Sequence, residues 1–511
     1  MRLACPLLAL ALWSAAAPPA PAASLTQPAT LIADTTAAFD ANQLRVIITN
    51  LGSIGYPPAS FTVPGYEWPI ESGLSFGFAG GLWIGARIMD TTRVTVAEYS
   101  SEWAPGPLDP TGLAVDPFGS DPSHRVYSIA RGDDDRNSPD YADWPVHLCA
   151  PADSNGRPLL LGDQTLWCVF NDAVPTRHDN PVGSSAPLGV EVRQTTWGYD
   201  RGAPLDQVMF VAYDLVNKGP NVLADTYAAL WFDADLGGAS DDLVGCDTLL
   251  ALGYTYNGDD DDYGYGAHPP AFGCELIQGP IVGGDTLGMH AFGRLLKNYT
   301  EPTDRDDAYG RMEHGVWDSL LLPIFNDCNP PGSRYEVSGD PVIGAGCRDT
   351  LPADRRFMWS TGPFDLPPGA HQRIVVALVV GGHFGEGDRL SSITDLRFRA
   401  AAARAAYFDP PPALPSKPTA PQRVIPNPGA GIQVFSLRVA PPGGPVRLRI
   451  HDLAGRLVWE REFIDLSPGL RRIEWDGRDQ GGRAVPSAVY LARLRDADGE
   501  RAVKFVRLRV R

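Results

Sequence analysis

The chain has 511 residues, a net charge of −18, 54 glycines, 48 prolines and 12 tryptophans. That length exceeds one ordinary domain, and 44% apolar residues are enough for a large core. The charge is uneven: residues 1–420 carry 51 acidic against 26 basic side chains, and residues 421–511 reverse this with 17 basic against 10 acidic. An acidic body of this kind repels phosphate backbones and anionic lipid, which argues against nucleic acid or a membrane surface as its partner.

Met1-Arg2 is a short basic start, Leu3 to Ala17 is uncharged and apolar, and Ala20-Pro-Ala22-Ala23 supplies small residues for cleavage, so residues 1–23 are expected to be a secretory signal peptide. Cys5 belongs to that signal. No later stretch approaches the roughly 18 apolar residues of a transmembrane helix. The chain is therefore expected outside the cytoplasm, secreted or at the cell surface.

Residues 24–408 read as a β-sandwich body of one or two lobes ending in a helix. Leu44–Asn50, Leu82–Met89 and Val94–Tyr99 are strand-like. Gln207–Asn217 (QVMFVAYDLVN) and Thr226–Asp233 (TYAALWFD) flank the turn cluster Lys218-Gly-Pro-Asn221 and predict a hairpin. Ile374–Val380 (IVVALVV) suits a strand buried on both faces, and Ser391-Ser392 can cap a helix running through Ala406. No repeat of fixed period occurs.

Six cysteines remain beyond the signal, at 149, 168, 246, 274, 328 and 347. An even number in an exported chain predicts disulfides, and their grouping predicts Cys149–Cys168, Cys246–Cys274 and Cys328–Cys347. A bridge closing 20–30 residues stabilises by about 3 kcal/mol in the chain-entropy description. Zinc is the alternative, but the chain has no Cys-x-x-Cys and no His at ligand spacing.

The chemistry-bearing segment is FDADLGGASDDLVGCD. Asp233, Asp235, Asp241, Asp242 and Asp247 follow a strand, with two glycines that let the loop fold back, and hard calcium ions take six to eight such oxygens. Calcium is the expected cofactor, with Asp233, Asp235, Asp241 and Asp242 as ligands. The loop is not an EF-hand, since counting Asp233 as the first position places Val244 at the twelfth. Asp259–Asp262 (DDDD) is a second acidic cluster. The alternative for both is a solvated, turn-forming loop.

Enzyme signatures are sparse: none of the nine histidines forms HExxH, and no P-loop or dinucleotide fingerprint occurs. A non-catalytic protein is expected, and a secreted carbohydrate-active hydrolase with a carboxylate pair is the alternative. Trp68, Trp83, Trp103, Trp144 and Trp197 read as core packing, with a sugar-stacking platform as the other possibility. Arg131-Gly-Asp133 is assigned to a polar loop.

Asp409–Gln422 (DPPPALPSKPTAPQ) holds six prolines and no β-branched apolar or aromatic residue. Residues 409–423 are thus expected to be a semi-rigid polyproline linker. Beyond it, residues 424–511 alternate strictly: Val446, Leu448 and Ile450 against Arg447 and Arg449, then the turn Asp452-Leu-Ala-Gly455.

Trp475-Asp-Gly477 and Ser487-Ala-Val-Tyr490, with the strands around them, resemble the Ig-like domain of flagellar hook-capping proteins and the C-terminal sorting domains of the type IX secretion system. Ala488 stands where that family usually has Gly. The resemblance implies a small Ig-like β-sandwich used for export, sorting or surface attachment, with secretion machinery or a cell-surface component as its partner. The middle segment VMFVAYDLVNKGPNVLADTYAALWFDADLG resembles uncharacterised secreted bacterial proteins that end in such a domain; it carries no activity over. The fold class expected is mainly β, and the body is left with a polysaccharide or protein ligand to bind.

Overall fold

The computed structural model describes residues 36–56, 65–315, 328–330, 332–411, 421–425, 431–439, 444–453, 455–466, 469–496 and 499–508. The expected signal peptide and residues 412–420 of the expected linker lie outside these. The fold is mainly β, as the alternation predicts.

Two antiparallel sheets, of ten and nine strands, form the body. Their facing side chains make one continuous core. Met209, Val211, Tyr213 and Leu215 of the strand Val208–Asn217 and Ile374, Val376, Leu378 and Val380 of His371–Gly381 come from the nine-stranded sheet, and Leu230, Phe232, Phe357 and Trp359 from the other. Each is at most 1% exposed. Val208–Asn217 and His371–Gly381 are apolar on both faces because a helix covers the side away from the core. Ile393, Leu396, Ala400 and Ala403 of Arg389–Phe408 pack onto Val208, Phe210, Val375 and Ala377.

The predicted hairpin does not form. Val208–Asn217 pairs with Val190–Gly198 and His371–Gly381, whereas Leu223–Asp233 pairs with Ala79–Ile88 and Arg355–Leu366 in the opposite sheet. The connection after Asn217 is therefore an arch between layers. A second arch, Pro367 to Ala370, runs beside it, and the Asn217 side-chain amide joins the two by donating to Leu366 O (2.7 Å) and Asn221 O (2.8 Å). A five-residue connection, with a register shift between Leu223 and Ala228, lets the chain leave the plane of its sheet. Turn residues announce a reversal, and a hairpin and an arch use the same ones.

The long helix starts one turn earlier than expected. Asp388 is its N-cap, accepting from Leu390 N (3.1 Å) and Ser391 N (2.7 Å), while Ser391 Oγ accepts from Asp388 N (2.7 Å). A second helix, Arg305–His314, was not foreseen because its sequence RDDAYGRMEH is so polar. Ala308, Tyr309 and Met312 fix it on the outer face of the ten-stranded sheet.

Two of the three expected disulfides are corrected. Cys328 and Cys347 are bonded, and Cys149, Cys168, Cys246 and Cys274 are free thiols. Cys246 and Cys274 both stand opposite Gly253, one on each neighbouring strand. They are two strand spacings apart, about 9.6 Å, beyond the roughly 7 Å between Cα atoms that a bridge tolerates. A Cβ on Gly253 would lie 2.7 Å from Phe292 and 3.1 Å from Trp359, so those rings fill the space between the thiols. Cys168 points into the inter-sheet core, while Cys149 is exposed at the end of a turn on the outer side of that sheet. All five tryptophans suggested as a platform are at most 6% exposed, which makes them packing residues. Arg131 is ion-paired with Asp163, and Asp133 Oδ2 accepts from Ala130 N (2.8 Å), as a polar loop requires.

The C-terminal residues form a three-stranded sheet, Pro421–Ile425, Gln433–Val439 and Gly469–Trp475, and a four-stranded one, Leu457–Leu466, Gly444–Asp452, Ala488–Asp496 and Gly499–Arg507. Residues 421–423, placed in the linker on sequence, are strand here. Val446, Leu448 and Ile450 are buried with Phe435, Leu437, Ile473, Trp475, Tyr490 and Phe505. The turns follow the sequence reading: Gly455 takes a φ of 78° and donates to Asp452 O (2.9 Å).

Candidate functional site

The acidic segment starts where a strand runs out of sheet. Asp233 is the last residue of Leu223–Asp233 and lies directly across from Arg356 in the register. Both side chains share the outer face with Trp231 and Met358, at the rim of an aromatic cluster. Tyr99 stands edge-on to Trp231, ring centroids 5.3 Å apart, and its hydroxyl donates to Asp233 Oδ2 at 2.5 Å.

Arg356 is the hub. Its Nη2 lies 3.3 Å from Asp233 Oδ2 and its Nη1 2.6 Å from Asp354 Oδ1, and its Nε points at Tyr99 Oη (2.9 Å) and Glu301 Oε1 (3.0 Å). Lys297 Nζ holds the other oxygen of Asp354 at 2.9 Å. Asp235, two residues past Asp233, completes a group in which one carboxylate oxygen each of Asp233, Asp235 and Asp354 lie within 4.8 Å of one another. Asp233 is 3% exposed, and a side-chain hydrogen bond joins its carboxyl to that of Asp235.

Electrostatics follow from this crowding. Burial, with Asp233 and Asp354 adding, pushes the Asp235 carboxyl up to about 8. Burial also raises Asp233, which Arg356 opposes. Glu98, bonded by Asn180 Nδ2 at 3.2 Å, is pushed up to about 7, mainly by burial. Arg356 is kept firmly charged by Asp233, Tyr99, Glu301 and Asp354 against the burial that would lower it. Five carboxyls and a phenol thus gather around one guanidinium and one ammonium.

The structure separates the four calcium ligands expected from sequence. Asp233 and Asp235 come together; Asp241 and Asp242 are not in their group. Asp242 heads the strand Asp242–Asp247, fully buried, with Oδ2 accepting from Leu236 N at 3.2 Å. Asp241 lies nearer Asp262. Asp247 is at the far end of that strand, capping its turn and pairing with Arg397 (3.1 Å). Of the DDDD run, Asp259–Asp261 are exposed, whereas Asp262 is buried and accepts from Gly238 N, Gly264 N and Tyr265 N at 2.6–2.9 Å. Its carboxylate occupies the place of a Cβ on Gly237, whose φ is 62°, so only glycine fits there. The missed member is Asp354, some 120 residues downstream. Only its position just before Arg355-Arg356, at the start of a strand, hinted that it would face Asp233.

No protein-family model matches the chain, and no curated protein does either. Solved structures with some likeness include FlgD from P. aeruginosa, 19% identical over 15% of this chain and 58% of that one, with a TM-score of 0.13. FlgD from Xanthomonas campestris, described in connection with hook capping in flagellar assembly, is 21% identical over 17% and 64%, with a TM-score of 0.13. PorZ from Porphyromonas gingivalis, described as a surface component of the type IX secretion system, is 11% identical over 93% and 58%, with a TM-score of 0.14. The chain spans less than two thirds of each. At such TM-scores these likenesses carry no weight for fold or function.

Proposed function

We propose that the chain is a secreted, non-catalytic cell-surface or extracellular protein. The β-sandwich body binds a polysaccharide or protein ligand or acts as a scaffold, and the C-terminal Ig-like unit serves export, sorting or attachment through a secretion or surface component. The observation that supports this reading is the closure of the last unit's core upon itself: Trp475, Tyr490 and Phe505 meet one another at centroid distances of 5.9 Å inside seven strands. A unit with its own core and opposite net charge, following a proline-rich segment, is built to work apart from the body. No helix among the described residues is long and apolar enough to cross a membrane.

Ending the chain after Asp409 tests the reading. The truncated body is expected to keep its melting temperature and to lose export or surface retention in the native host. A lower melting temperature with delivery intact would overturn it.

The hydrolase reading draws on Asp235 and Glu98, whose protons are held to about 8 and about 7, the property a general acid needs. A hydrolysis screen of the full chain on polysaccharides, with activity abolished by Asp235→Asn, would favour it.

A further inference from the structure

We propose that the C-terminal unit is latched onto the body through an ion pair between Arg472 and Glu71, a contact that salt opens and that an acidic partner surface can take over. Glu71 lies in the turn between the strands Tyr66–Glu67 and Ser75–Gly77, where Ser72 N donates to Pro69 O at 3.0 Å and Glu71 itself takes a left-handed φ of 68°. A carboxylate on a turn is ordinarily hydrated, yet the Glu71 side chain is 5% exposed. Drying a carboxylate costs free energy unless a counter-charge meets it. Arg472 Nε, from the strand Gly469–Trp475 of the C-terminal unit, lies 3.6 Å from Glu71 Oε1. Ile473 and Trp475 of that strand point into the unit's own core, so Arg472 stands on its outer face, 56% exposed. Charge agrees independently: residues 421–511 carry a net +7 and residues 1–420 a net −25, so the two parts attract beyond the one pair.

The tether sets how such a contact behaves. The helix Arg389–Phe408 and the strand Pro421–Ile425 are separated by about 12 residues, which reach at most about 40 Å. A unit held on so short a leash meets the body at an effective concentration in the millimolar range. An ion pair with a half-exposed arginine is weak and would not hold two separate proteins together, but at that concentration, with opposite net charges, it keeps docked and released forms in balance. The balance makes the latch responsive: screening shifts it toward release, and an acidic surface on a partner competes with Glu71 for Arg472. Losing so weak a contact leaves the melting temperature of the body unchanged, because Glu71 is then hydrated. The latch goes beyond the delivery reading and stands without it, as a property of the purified chain.

Small-angle X-ray scattering of the purified full-length protein tests it. Raising NaCl from about 20 mM to about 1 M shortens the screening length from about 20 Å to about 3 Å, and the largest dimension of the particle is expected to grow by on the order of 10 Å, within the reach of the tether. Arg472→Glu should give the extended particle already at low salt, and Glu71→Gly should do the same while suiting the left-handed turn. The double variant Glu71→Arg with Arg472→Glu should restore the compact particle at low salt. Circular dichroism confirms that each variant is folded. The same dimensions at both salt concentrations, an Arg472→Glu or Glu71→Gly particle as compact as the parent at low salt, or a folded double variant that stays extended would each overturn the proposal.

Discussion

Glu102 gives the sharpest stability prediction. Its side chain is fully buried; Oε2 accepts from Val96 N at 3.0 Å and Oε1 from Ser184 N at 2.9 Å, so it pins the loop carrying Ser184 to the strand side of Val96. His178 Nδ1 lies 3.8 Å away. Burial, with Asp172 and Asp179 adding, pushes its carboxyl from 4.5 up to about 8 against the pull of the two N–H groups. Between those values the unfolded chain has lost a proton that the folded chain keeps, so the unfolded state binds fewer protons and stability must fall as pH rises. At about 1.4 kcal/mol per pH unit the loss is on the order of 4–5 kcal/mol by pH 8. Glu102→Gln removes that loss but replaces one acceptor oxygen with an amide donor facing an N–H, a cost of about 1–2 kcal/mol at every pH. The variant should therefore be less stable than the parent by about 1 kcal/mol near pH 5 and more stable by about 3 kcal/mol near pH 8.5. Urea unfolding of both proteins at the two pH values, read by fluorescence and circular dichroism, checks this. Parallel pH profiles, with the variant weaker at both ends, would show that Glu102 is ionised in the fold and refute the reasoning.

Other consequences are as direct. In the native, unreduced protein one of the four free thiols, Cys149, should be alkylated, and Cys168, Cys246 and Cys274 only after unfolding, because burial both shields them and raises their pKa; mass spectrometry counts the adducts. Replacing Cys328 and Cys347 with Ser opens a loop spanning 19 residues and should cost about 3 kcal/mol in denaturant unfolding. Trp475→Ala empties the centre of the small core at a cost of about 3–5 kcal/mol, enough to make the last unit sensitive to protease while the body resists it.

Much of the fold was legible in the residues. The period of two in Val446–Ile450 and the unbroken apolar run Ile374–Val380 stated burial on one face and on two, and packing obeyed both. Connectivity was less legible. Lys218-Gly-Pro-Asn221 specifies a reversal without saying whether the next strand returns beside its predecessor or crosses to the facing sheet, since backbone turn preferences are local and the choice is made by non-local core contacts. The cysteines failed for a related reason: Cys246 and Cys274 are close in sequence, yet an intervening strand holds them apart. Two of the three members of the acidic group were readable because Asp233 and Asp235 share one short segment. Asp354 was not, because its place depends on the pairing of Asp233 with Arg356 across strands more than a hundred residues apart in sequence.

If the last unit is a delivery module separable from the body, it should be sufficient for delivery, and sufficiency is the most direct test. Residues 409–511 would be fused behind a reporter led by residues 1–23 and produced in the native host, with the surface and released fractions measured. The reporter is expected to reach the surface or the medium with the unit attached and to fail when that unit carries Trp475→Ala. A reporter delivered equally well without the unit, or retained despite an intact one, would contradict the separable-module reading.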